Sequence, residues 1–231
     1  MGPATHYYIM MGALLSRLQE GLSRLLGNRL RILHEVRGFR VVVDNTRPDI
    51  ATADVVQRLD VALALIERYQ PWRLAHLRRD LDHIRVLRYA CRGAYFPEQR
   101  ACMVELTFLA RRDIGAATVA STIVHEGMHA RIQRYSAIGT RQAAARAGLH
   151  APDRAREERI CRRAELEFGQ ALPPDIGAPV VARALESLEL VDDDVAPTID
   201  WQLASQRVAD ADRSARRGDQ GFRLRTCTQG H

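Results

Sequence analysis

The chain has 231 residues, 46% of them hydrophobic and 27% charged, enough for one compact domain with a core. That balance excludes a disordered or collagen-like chain. No apolar run approaches the roughly 20 residues of a membrane-spanning helix, and four cysteines are too few for a disulfide-dense scaffold. The formal charge is +6, yet all 34 basic residues are Arg and the only Asn are Asn28 and Asn45. A GC-rich coding sequence produces that bias, so the charge is a weak pointer to nucleic acid.

Residues 9–30 read as an amphipathic helix, with Leu14, Leu15, Leu18, Leu22, Leu25 and Leu26 at helical spacing. Such a helix packs on a core or touches a membrane surface. The apolar run 7–15 has neither a basic flank nor a small-residue cleavage site, so no secretory signal is expected and the expected location is cytoplasmic. Residues 40–44 predict a strand, 54–69 a helix and 71–79 a second helix opened by Pro71. The runs 84–91 and 101–108 follow, with Gly93, Pro97 and Glu98 marking a turn between them. They predict a β-hairpin or two adjacent antiparallel strands, and Cys91 and Cys102 could then face each other. Two buried thiols are the expectation there, a disulfide the alternative. Asp113 is placed to cap a helix over about 114–135. Helices over 154–171, 178–190 and 200–215 follow, with the acidic run 192–194 before the last and a flexible Arg-rich tail at 216–231. The whole predicts a single helix-rich α+β domain with a small, mostly antiparallel sheet.

The segment Ile123-Val124-His125-Glu126-Gly127-Met128-His129 carries the chemistry. Residues four apart on a helix share a face, so His125 and His129 can aim at one metal ion. Glu126 falls about 100° around the helix, where it can act as a base on water at the metal. With 8 His and the Glu content of this chain, chance yields such an HExxH match in about one chain in seventy. Catalytic zinc takes a third protein ligand. Tyr135 stands where the HExxHxxGxxH pattern would put a third His. The helix over 154–171 offers carboxylates instead. Glu158 shares a face with Cys161 and Glu165, and a small residue three positions on favours Glu158. Glu157 aligns with the apolar face and is the alternative, with Glu165 or His150 behind it.

Two strand-like runs, an HExxH helix, a loop and a Glu-bearing helix resemble the zincin metallopeptidases, in the gluzincin-like arrangement, over residues 84–172. The resemblance implies a Zn2+ site of His125, His129 and Glu158, with Glu126 as general base and a peptide or protein as substrate. It also implies that one of the runs 84–91 or 101–108 holds that substrate as an added strand. Tyr89, Tyr95, Tyr135 or His150 would serve the oxyanion. The ExxxD pattern of several gluzincins is absent, because Arg162 follows Glu158 by four and Cys161 follows Glu157 by four. Two other readings stay open: a non-catalytic zinc-binding or regulatory domain of the same shape, and a DNA-associated protease drawing on Arg154, Arg156, Arg159, Arg162 and Arg163. The run 192–194 or the N-terminal helix could cover the cleft.

Overall fold

The computed structural model describes residues 31–143, 154–195 and 200–217. The expected helix over 9–30, His150, Cys227 and the tail from 218 lie outside the described residues.

Strands β1 (Arg31–Val36) and β2 (Phe39–Asp44) form an antiparallel hairpin. Its two connecting residues, Arg37 and Gly38, have φ of 47° and 75°, the primed turn whose twist matches that of paired strands. Phe39, Val41 and Val43 alternate into the core. Helices α1 (Thr52–Tyr69) and α2 (Pro71–Asp80) then carry the chain to β3 (His83–Leu87), which lies parallel to β2. α1 buries Val55, Leu59, Ala62, Leu63 and Ile66, the apolar stripe of its sequence.

β3 also pairs in parallel with β5 (Ala101–Glu105). The hairpin expected between these runs is therefore replaced by a different path. The turn region contains a four-residue strand, β4 (Gly93–Phe96), that runs antiparallel to β5, and a 3-10 turn at Pro97–Gln99. One extra reversal makes β3 and β5 parallel. The sheet order is β1-β2-β3-β5-β4, a mixed sheet in which β3 and β5 are interior and β4 is an edge. Glu105 ends β5 and caps the short α3 (Leu106–Ala110) by accepting from the Phe108 N–H.

The α+β class stands. α4 (Ala116–Ala143) is the central helix, packed against α1, α2, α5 (Arg154–Ala171), β4 and β5. Asp113 does not cap it. Its carboxylate pairs with Arg111, and the first helical N–H groups reach the Gly115 carbonyl. Behind Pro173, α6 (Pro174–Leu188) packs on α5; α7 (Asp192–Val195) and α8 (Trp201–Arg217) follow. Among the described residues no helix is long and apolar enough to cross a membrane.

The crossing of α2 and α4 is set by Gly127, where an added Cβ would overlap the buried Leu77 side chain. Ala is the better helix former by up to about 1 kcal/mol, but overpacking a closed core costs about 1–3 kcal/mol. Gly127→Ala is therefore expected to lower the urea midpoint at unchanged m-value. A midpoint at or above that of the parent would show that Leu77 can move aside freely.

Candidate metal centre

α4 brings His125 and His129 onto one side, with His125 nearly buried at 7% exposure. Their Nε2 atoms are 3.2 Å apart. From the facing helix α5, Glu158 sets Oε2 3.3 Å from His125 Nε2 and Oε1 3.5 Å from His129 Nε2. Zinc holds nitrogen and oxygen at about 2.0–2.1 Å in a tetrahedron, whose edges are then about 3.3 Å. Each separation is close to that edge, with Glu158 facing His125 through Oε2 and His129 through Oε1, so a donor set of two imidazoles and one carboxylate fits one zinc ion. His125, His129 and Cys161 also offer ligand atoms within 4.8 Å of one another.

The fourth group, Cys161, lies one helical turn past Glu158 and is fully buried. Burial, with Glu158 and Glu126 nearby, pushes its thiol well above the ordinary value. Burial opposes the charge on Glu158 as well, but hydrogen bonds from both histidines outweigh it and hold this carboxyl below its ordinary range. An ionised oxygen is the readier ligand than a protonated sulfur. Glu158 thus offers an ionised donor, and Cys161 a thiol that must first lose its proton. Glu157 lines the same cavity but has no position between the imidazoles.

Glu165 meets the other nitrogen of the His125 ring. It is fully buried and accepts from His125 Nδ1 at 2.7 Å, from Arg162 at 2.6 Å and from Arg183 at 2.9 Å. Burial works against its charge, and these partners still bring its carboxyl down to about 2. An ionised carboxylate only accepts, so His125 Nδ1 carries a proton toward Glu165, and Nε2 is the ring nitrogen that faces Glu158 and His129, with a second proton on it while the ring is an imidazolium. Without an ion, burial disfavours the His125 imidazolium, yet Glu158, Glu165 and Glu126 raise it to about 9. A metal must displace that proton to bind.

Glu126 is 7% exposed and lines the cavity beside the two imidazoles. Burial raises its pKa, and the histidines offset this only in part. The edge strand β4 presses onto it. A Cβ at Gly93 would lie 2.5 Å from Thr122 Cγ2 and 2.9 Å from Glu126 Oε1, so only glycine allows the strand this close.

The cavity has a volume of about 890 Å3 and opens between β4, α4 and α5, with Arg183 from α6 and Trp201 from α8 completing its wall. The strand beside it is β4, not the interior β3 or β5 expected from the runs 84–91 and 101–108. Tyr95 lines the cavity, whereas Tyr89 stacks on Phe96 and Trp201, and Tyr135 is an exposed residue under Arg131. Cys91 and Cys102 are free thiols, and Cys91 donates to the Gly93 carbonyl at 2.9 Å. α8 is fastened by Asp212, which accepts from Arg88 at 2.8 Å and pairs with Arg47 at 3.4 Å. Arg88 in turn pairs with Glu105.

Sequence reading missed three of these features: the support of His125 by Glu165, its clamping by Arg183, and the glycine seat of β4. One signal for the first was present, a Glu placed among Cys161, Ala164 and Phe168 on the buried side of α5. No protein-family model, curated protein or solved structure matches this chain.

Proposed function

We propose that the chain is a zinc-dependent hydrolase of the zincin type that cleaves peptide bonds, with His125, His129 and Glu158 as zinc ligands and Glu126 as general base. The observation that carries this reading is the convergence of two imidazole nitrogens 3.2 Å apart with the two oxygens of Glu158, one 3.3 Å from His125 and the other 3.5 Å from His129, and a further buried carboxylate, Glu126, beside them that takes no part in these contacts. A purely structural site has no use for that carboxylate.

Zinc, when bound, supplies a Lewis acid that makes water more acidic and polarises a carbonyl. Glu126 takes a proton from the attacking water and delivers it to the leaving amine, so that the acyl carbon gains hydroxyl and the nitrogen gains hydrogen. Its raised pKa suits a group that must both accept and release a proton. The edge of β4 offers main-chain groups to an extended peptide alongside Glu126.

One observation favours a second reading. If Cys161 completes the donor set, four protein groups close the ion off and the site is structural or regulatory. Elemental analysis and cobalt substitution separate the two. The proposal expects about one zinc per chain in the parent, none in His129→Ala, and a large loss in Glu158→Gln. It also expects a cobalt spectrum without a thiolate charge-transfer band. A strong thiolate band that Cys161→Ser abolishes would support the closed site. A folded parent that takes up no zinc would end both.

A further inference from the structure

A second concavity, of about 250 Å3, lies between α2, α4 and α5. Its α4 residues are Val124, Gly127, Met128 and Arg131. At 100° per residue these stand opposite His125, Glu126 and His129. It is thus a separate pocket on the far side of the same helix.

The polar groups of its wall are unbalanced. Arg73 and His76 come from α2, Arg131 from α4, and Arg163 with the single acid Glu167 from α5. Glu167 is committed to Arg73 at 3.0 Å, and Arg73 also donates to Gln70 at 2.6 Å. Arg131 differs. Its Nη1 is shielded from solvent and has no hydrogen-bond acceptor among the described residues. The Asp80 carboxylate reaches only to 3.9 Å. That nitrogen faces Asp80, while the rest of the Arg131 side chain stays partly exposed, at 26%, and is open to an incoming oxyanion. Burial first, then Arg131 and Arg79, holds His76 below its ordinary pKa against the opposing Asp80. Trp72, half exposed, stands at this site with Arg73 4.5 Å over its ring and His76 edge-on at 5.4 Å.

We propose that this pocket binds a small phosphorylated ligand, whose phosphate oxygens are taken by Arg131 and Arg163 and screened by Arg73. A phosphate monoester carries close to two negative charges at neutral pH and offers the oxygen pair that a guanidinium fork accepts. A lone carboxylate would leave most of this charge unmatched. The volume admits a phosphate with a few carbon atoms.

The chain has two tryptophans, so Trp201→Phe leaves Trp72 as the only reporter. In that background, the full chain is titrated with inorganic phosphate and with glycerol 3-phosphate, at ionic strength held constant with sodium chloride. The expected result is a saturable change in Trp72 emission at a dissociation constant of about 1 mM or tighter. Arg131→Gln and the more exposed Arg163→Gln should each weaken it about tenfold or more, while Arg92→Gln, at the other cavity, leaves it unchanged. Circular dichroism confirms that each variant is folded. No saturable response to either probe overturns the proposal. So does an equal response in both Arg131→Gln and Arg163→Gln, or one that acetate reproduces. Binding of a short DNA duplex while both small probes stay silent would replace it with a nucleic-acid surface.

Discussion

Glu126→Gln is expected to retain zinc and fold while losing hydrolysis by a factor of about 10^2–10^4 or more. The substitution keeps the shape of a side chain packed under Gly93 and Thr122, and it removes a charge whose burial is unfavourable. Stability should therefore stay level or rise slightly. Zinc content should be unchanged, because the contacts that join His125, His129 and Glu158 do not involve Glu126. What disappears, under the proposed mechanism, is the carboxylate that holds the proton in transit. The measurement is cleavage of an unfolded protein substrate by zinc-loaded parent and variant at equal concentration, followed by mass spectrometry of the fragments. Equal cleavage by the two proteins would remove Glu126 from the mechanism. Loss of zinc together with activity would instead move Glu126 into the ligand set.

The second large effect belongs to Glu165. In Glu165→Leu the His125 Nδ1–H and the guanidinium groups of Arg162 and Arg183 lose their acceptor, a carboxylate that is itself fully buried. Breaking a buried ionic cluster by deleting one member costs about 3–5 kcal/mol. Arg162 and Arg183 keep a quarter to a third of their side chains in solvent, which places the cost near the lower end. Glu165→Gln is the gentler variant. It preserves volume and one acceptor oxygen, so the chain should fold, but the support of the His125 ring weakens. Zinc affinity is then expected to fall about 10–100-fold, read by competition with a chelator. Unaltered affinity in Glu165→Gln would show that His125 is oriented by packing alone.

The local parts of this site were legible in the sequence because they obey a short period. His125 and His129 are one turn apart on a single helix, and the bounds of α5 at Arg154–Ala171 follow from its own composition. Glu158 could be favoured from the small residue one turn on, since that spacing is also internal to one helix. Glu165 was weighed as a ligand because it shares that face. Its support of His125 depends on how α5 rotates against α4 and α6, which no spacing within α5 encodes. The sheet shows the same division. β2 reads from its alternation of Phe39, Val41 and Val43. β4 has four residues, too few for a period to show, and it hides between Gly93 and Pro97, which both signal a turn. That omission reversed the relative direction of β3 and β5 and moved the strand beside the cavity from either of them to β4. β1 was missed for another reason: its Arg31–Val36 segment follows directly on the leucine-rich stretch that reads as helix, and Ile32 and Leu33 are both exposed.

The fastening of α8 bears on the order in which the molecule is completed. Among the described residues, the carboxylates bonded to the two imidazoles, Glu158 and Glu165, and Arg183 behind Glu165 all belong to chain that precedes residue 184. Trp201 and its anchor Asp212 come later, and Asp212 must find Arg47 and Arg88, partners made 165 and 124 residues earlier. On a ribosome, where N-terminal segments are available first, the donors can assemble while the aromatic wall is still unmade. Under the proposed zinc chemistry the donors stay open to an ion until α8 docks, and α8 narrows the entrance behind it.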